Sequence, residues 1–339
     1  MPHFSSRRSF LQSSLAFASL FAAVSCNQQQ TAQTTSPLRI GLNLWAGFMP
    51  WQVAKEKKIF EANNLKAELV WFPVLSDQIS AFNAGKIDVA GMVTSDYLTS
   101  VNGGVKAKVI SVTDMSLGAD AIVSKPGIQS VKDCIGKRAS VEVGTVGHML
   151  FLKALEQNGV SEKQVEIVNQ AADAAIAALI AGKTDVAYAY EPFVGQAVGA
   201  GKGKVIFSSK DVPGLIPDLL VIHQEIIDQQ PAAVQNLLKT WYQTQDYRKT
   251  HLEEVLPIEA KQAGVSVKEY QELLKGFKWL TPQEAMDSFQ AGTTSKSLLY
   301  TAKQVADFMI KQKLMEKQPP AFDELIDDRF LKKTISGSA

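Results

Sequence analysis

The chain has 339 residues, of which 46% are hydrophobic and 20% charged. That composition supports packed cores for about two domains and excludes disorder as the main state. Thirty-five Lys and Arg against 34 Asp and Glu leave a formal charge of +1, without the basic excess of a nucleic-acid binder. Two cysteines exclude a disulfide framework and a cysteine-rich metal site.

Residues 1–25 read as an export signal, a signal peptide removed from the mature chain. Arg7 and Arg8 supply its charged region. Residues 15–24 form an apolar run too short to cross a bilayer core of about 30 Å as a helix. Ser6-Arg7-Arg8-Ser9-Phe10-Leu11 fits the twin-arginine pattern of proteins exported already folded. Ala23-Val24-Ser25-Cys26 resembles a bacterial lipobox, in which Cys26 would be lipidated. Residues 27–37 are rich in Gln, Thr and Ser and carry no charge, so 26–37 reads as a lipidated cysteine with a flexible tether. Cys134 then has no partner and reads as a small buried hydrophobe.

The body begins with a strand at 38–45, a helix opened by Pro50 and running to about Phe60, and a strand at 66–72. Ile79-Ser-Ala-Phe-Asn-Ala-Gly-Lys-Ile-Asp-Val-Ala90 recurs 97 residues later as Ile176-Ala-Ala-Leu-Ile-Ala-Gly-Lys-Thr-Asp-Val-Ala187, with eight of twelve positions identical. Each copy reads as a helix, a glycine C-cap and a buried strand. The second copy is flanked by strands at 137–143 and 165–169 around a helix from about Gly147 to Gln157. Both halves therefore run β-α-β-α-β, which implies parallel sheets covered by helices. Strands at 108–112 and 204–207 precede two further strands, 120–124 and 218–222, that read as the crossings between halves. From Pro231 the pattern turns helical, with Val234, Leu237, Leu238 and Trp241 on one face. Further helices are expected near 267–277 and 295–312, packed on the first half.

Asn43-Leu-Trp-Ala-Gly-Phe-Met-Pro50, Gly118-Ala-Asp-Ala-Ile-Val-Ser-Lys-Pro-Gly-Ile128, Gly136-Lys-Arg-Ala-Ser-Val-Glu142 and Tyr190-Glu-Pro-Phe193, with the repeated Ala-Gly-Lys segments, carry a resemblance. Over residues 38–275 the chain resembles periplasmic solute-binding proteins of ABC importers. The subfamily includes the nitrate, taurine, aliphatic-sulfonate and thiamine-pyrimidine-precursor binders. The resemblance implies an α/β, type II periplasmic-binding-protein fold: two β-α-β lobes joined by two crossover strands, with a helical C-terminal region. Lobe 1 would comprise 38–120 and 218–339, and lobe 2 residues 121–217. It also implies a monomeric, non-catalytic binding protein; with the lipobox reading of Cys26, a lipid would hold it on the outer face of the cytoplasmic membrane or on the cell envelope. Its partners would be a small-molecule solute and a membrane permease, with no cofactor and no nucleic acid.

No catalytic or metal motif competes with binding: the sequence has no His-Glu-x-x-His, Cys-x-x-Cys, Gly-x-Ser-x-Gly or phosphate loop. Ligands of open α/β sheets bind beyond the C-terminal strand ends, which nominates Trp45, Thr94, Ser95 and Asp96 in the first lobe. In the second lobe the same rule nominates Thr145 and His148 in Gly144-Thr-Val-Gly-His148, then Tyr190 and Glu191. Asp120 and Asp218 stand at the crossings. Of the arginines, Arg7, Arg8, Arg39, Arg138, Arg248 and Arg329, none falls on an expected cleft loop. A carboxylate-rich cleft suits an amine, a zwitterion or a hydrogen-bonding heterocycle more than a dianion, which favours an arginine clamp. The expected solute is a small polar nitrogen- or sulfur-containing compound, taurine- or pyrimidine-like. The alternatives are a pyrimidine-precursor synthase, whose cysteine-rich segment has no counterpart here, a nitrate- or bicarbonate-type anion binder, and a sensor subunit.

Overall fold

The computed structural model describes residues 36–337. The export signal and Cys26 lie outside the described residues. In chain order the elements are β1 (Leu38–Asn43), α1 (Pro50–Glu56), α2 (Ile59–Ala62), β2 (Ala67–Phe72), α3 (Leu75–Asn83), β3 (Val89–Val93), α4 (Thr94–Asn102), β4 (Ala107–Ser116), β5 (Asp120–Ser124), β6 (Arg138–Val141), α5 (Val146–Gln157), β7 (Glu166–Asn169), α6 (Ala172–Ile180), β8 (Val186–Tyr190), α7 (Phe193–Gly199), β9 (Lys204–Ser208) and β10 (Pro217–His223). The C-terminal region adds α8 (Gln224–Gln229), α9 (Pro231–Thr250), α10 (Leu252–Ala263), α11 (Val267–Leu273), β11 (Phe277–Trp279), α12 (Pro282–Ser288), α13 (Leu298–Lys311) and α14 (Arg329–Ser336).

Two sheets result. One has the order β11-β4-β10-β3-β1-β2 and the other β7-β6-β8-β5-β9. The repeated segments supply β3 to the first and β8 to the second, each wholly buried. Such continuous apolar runs suit central strands covered on both faces. β2 and β7 hold one edge of each sheet and are only partly buried. In both sheets the central strands pair in parallel, whereas β10 and β5 enter antiparallel. Each of these strands has just arrived from the other lobe. This is the type II periplasmic-binding-protein architecture, as the resemblance implies.

That topology aims the carboxylates. A parallel strand presents its C-terminal end to the cleft, so Asn43, Val93 and Tyr190 lie there. An antiparallel crossover strand presents its start instead. Asp120 pairs with Tyr190, and Asp218 pairs with Val93 on one side and Asp114 on the other.

Several elements differ from expectation. β4 runs on to Ser116 rather than stopping at Val112. The helix from Pro50 breaks at Lys57 and Lys58, where Lys58 adopts φ 55°. The helix from Val267 stops at Leu273, and Phe277–Trp279 forms β11 against β4. Asp120 pairs in the second sheet and Pro217 in the first, one residue either side of the expected division. Packing of the C-terminal helices on the first lobe is as expected: the Trp241 ring of α9 lies 4.8 Å from the Trp51 ring of α1.

Candidate functional site

Between the lobes lies a small cavity walled by Asn43, Trp45, Leu75, Met92, Val93, Asp96, Asp120, Val146, Tyr190 and Asp218. Five of its residues were expected: Trp45, Asp96, Asp120, Tyr190 and Asp218. Trp45 is both wall and core, 4% exposed, with its ring edge-on to Tyr190 at 6.2 Å and 5.0 Å from Phe277. Its indole N–H donates to Asp114 Oδ1 at 2.9 Å. Gly47 makes this possible, because a Cβ there would lie 2.3 Å from the indole nitrogen. The glycine thus admits the tryptophan of its own loop.

The remaining candidates point elsewhere. Thr94 and Ser95 are buried in the first turn of α4 and do not cap it; the Ser95 hydroxyl donates to Asp96 Oδ1 at 3.3 Å. Thr145 is the N-cap of α5, donating to the Glu142 carbonyl and accepting from Gly147 N–H. His148 is two residues beyond the cavity-lining Val146, about 200° around a helix of 3.6 residues per turn. Its ring meets Glu162 at 3.5 Å instead, and burial holds its pKa below the ordinary value. The Glu191 carboxyl turns to Gly195 N–H at 2.8 Å, while its backbone carbonyl accepts the Ala46 N–H across the cleft. Burial lifts the Glu191 carboxyl to about 7.

Sequence reasoning missed Asp114 and Tyr188. Asp114 is wholly buried behind Trp45 and also accepts from Thr113 Oγ1 at 3.1 Å. It stands directly opposite Asp218 across β4 and β10, and the two carboxyls share a hydrogen bond. Like charges at paired positions repel, and the charge of Asp114 adds to burial in raising Asp218. Tyr188 donates to Asp120 Oδ1 at 2.5 Å. Behind Trp45, Tyr270 Oη donates to the Ala46 carbonyl at 2.9 Å and Trp279 Nε1 to the Gly47 carbonyl at 2.8 Å.

The electrostatics are one-sided. Burial raises Asp96 to about 8, with the charge of Glu142 adding to it and the Ser95 hydroxyl and Val146 N–H opposing. Burial raises Asp114 to about 7 against the pull of its donors. It raises Asp120, and it raises Asp218 well above the carboxylate range with help from Asp114 and Asp120. Among the described residues no lysine or arginine lines the cavity. Arg39 pairs with Asp88, Arg248 with Glu259 and Arg329 with Asp327, and Arg138 is exposed on β6. Among the described residues no group of three or more His, Cys, Asp and Glu is arranged to hold a metal ion.

The sequence pattern of the NMT1-like family matches residues 31–255. The chain belongs to the NMT1-like family. Within reach of that family, the taurine-binding periplasmic protein of Escherichia coli is 26% identical over 296 residues, covering 83% of this chain and 89% of that one. The alkanesulfonate-binding protein of Xanthomonas axonopodis pv. citri, solved with MOPS bound, superposes with a TM-score of 0.73 at 18% identity, covering 86% of this chain and 98% of that one. The periplasmic nitrate-binding protein of Synechocystis gives a TM-score of 0.74 at 13% identity, covering 90% and 89%. These two structures share the fold with this NMT1-like chain. Their names describe binding proteins, in line with the reading of the sequence.

Proposed function

We propose that this protein is the periplasmic substrate-binding subunit of an ABC importer. It captures a small polar nitrogen- or sulfur-containing organic solute, taurine- or pyrimidine-like, and presents the closed form to a membrane permease. The observation that carries this reading is the cavity lined between the lobes by groups from both: Trp45, Asp96 and Asp218 from one side, Asp120, Val146 and Tyr190 from the other. A solute touching both walls binds the closed form better than the open one and shifts the population towards it. The taurine-binding relative supports the solute class. Twin-arginine export and a lipid on Cys26 belong to the same proposal.

Native mass spectrometry of gently purified full chain is expected to retain a small organic solute. Trp45→Ala should weaken its rebinding by up to about tenfold, since an aromatic contact contributes about 0.5–1.5 kcal/mol and about 1.4 kcal/mol is tenfold. No retained solute, together with no thermal shift from taurine, alkylsulfonates or aminopyrimidines, would overturn the reading. Cys26→Ser is expected to move the protein from membrane to soluble fractions; persistent attachment would remove the anchor from the proposal.

A further inference from the structure

We propose that the solute carries a positively charged nitrogen, an ammonium or amidinium group, held by Asp96, Asp120 and Asp218. This rests on the solute-binding reading above and narrows its ligand class. Three aspartates from three elements, the first turn of α4 and the starts of β5 and β10, converge on one cavity, and each is at most 4% exposed. A fourth, Asp114, backs Asp218. Among the described residues no lysine or arginine lines the cavity, so an ionised aspartate there has no cationic side chain on the wall to answer it.

The hydrogen bonds say where the need for a cation is strongest. Asp114 has both oxygens engaged, by Trp45 and Thr113. Asp120 has the Tyr188 hydroxyl. Asp96 Oδ2 is buried on the cavity wall without a hydrogen-bond partner. A buried polar atom left unpaired costs about 1–3 kcal/mol, and a donor on the solute would satisfy it. A sulfonate or nitrate placed against Asp96 Oδ2 would set acceptor against acceptor and be repelled once that carboxyl ionises. The Trp45 and Tyr190 rings on the same wall add faces that attract cations.

Proton exchange follows. The groups facing this cluster are Glu142, Tyr188, Tyr190 and Glu191 from the second lobe, Asp114 behind Asp218, and the three aspartates themselves; Glu191, lifted by burial to about 7, titrates in the same range. None is cationic, so burial and repulsion favour a proton on Asp96 and on Asp218 near neutral pH. A bound cation reverses that balance and expels protons. The affinity for a solute of fixed positive charge therefore rises with pH between about 6 and 8, by up to tenfold per pH unit for each proton displaced.

The test is isothermal titration of the full chain with ethylamine, acetamidine and agmatine, which stay cationic over this range, against ethanesulfonate and nitrate. It is run at pH 6 and pH 8 in two buffers of different ionisation enthalpy. The expected result is that a cationic probe binds about tenfold or more tightly at pH 8 than at pH 6 and releases protons to the buffer, while both anions are inert. Native mass spectrometry supplies the second arm: the retained solute should contain a basic nitrogen. Asp96→Asn, an isostere of the protonated acid and so expected to fold, should cut the cation affinity about tenfold at pH 8 and flatten its pH dependence. Tight binding of ethanesulfonate or nitrate with the cations inert, or a retained solute without basic nitrogen, would overturn the charge assignment and leave the binding-protein reading standing. Binding that requires a divalent metal and vanishes with a chelator would also overturn it. If no probe binds and no solute is retained, both fail.

Discussion

Asp114, wholly buried, must hold either a proton or a charge against Asp218 on the cavity wall. Burial sets its pKa at about 7, and the donors Trp45 and Thr113 keep it from rising further. A carboxyl raised above its unfolded value of about 4 binds more protons folded than unfolded between those pH values. Its stabilising contribution is therefore complete below about pH 4 and is lost as pH rises towards and through 7. Asp114→Asn removes that loss and keeps an amide oxygen for the Trp45 N–H. The variant is expected to gain stability relative to the parent from pH 5 to pH 8 in thermal melts without added solute; an unchanged difference would show that Asp114 keeps its charge. Asp120 and Asp218 are legible in the sequence because each opens a buried strand just after Gly or Pro. Asp114 is not, since an aspartate after Val112 and Thr113 reads as a strand end and only the pairing of β4 with β10 and β11 carries the strand past it. Thr145 and His148 mislead for a different reason: a glycine-rich turn marks the start of a helix but not the face each residue takes.

Two helix–glycine–strand units built from nearly the same words place β3 and β8 at the heart of the two sheets. Gly85 and Gly182 end α3 and α6 with φ of 66° and 71°. No atom stands within 4 Å of a Cβ built on either, so the demand is on backbone conformation alone. Gly182→Ala is expected to cost about 1 kcal/mol, the left-handed penalty of an L-residue, and to lower the melting temperature by about 2 °C. A variant that melts with the parent would mean that the cap tolerates a side chain. These units are legible because the cap, the helix period and the apolar strand are all local signals. The break at Lys58 and the strand β11 are not, because a non-glycine residue at positive φ leaves no mark in composition. Three residues of strand gain their identity only from β4.

Closure of the molecule depends on contacts that no local pattern announces. Across the cleft the Ala46 N–H donates to the Glu191 carbonyl at 3.2 Å, and Ser76 N–H, at the start of α3, donates to Glu142 Oε1 at 2.8 Å. Lys311 of α13 pairs with Glu156 of α5, so the C-terminal region touches the second lobe as well as the first. It also grips the first crossing: the Gly276 carbonyl accepts the N–H of Leu117 at 2.7 Å and of Ala119 at 3.1 Å, one residue before Asp120. The approach leaves no room for a side chain. A Cβ on Gly276 would stand 2.9 Å from Ala119 Cβ and 3.2 Å from its Cα, so the crossing backbone itself would have to move. Gly276→Ala is expected to destabilise by about 1–3 kcal/mol, the usual cost of overpacking, and Gly276→Val by more. Gly199→Ala serves as the control, because it ends α7 with nothing within 4 Å of the new methyl group, and surface changes of that kind stay within about 0.5 kcal/mol. Because Asp120 follows directly on the displaced segment, Gly276→Ala should also weaken rebinding of the solute that the parent retains. Equal melting temperatures for the Gly276 and Gly199 variants would mean that the crossing is free to shift, and the C-terminal region would then have no part in fixing Asp120 at the cavity.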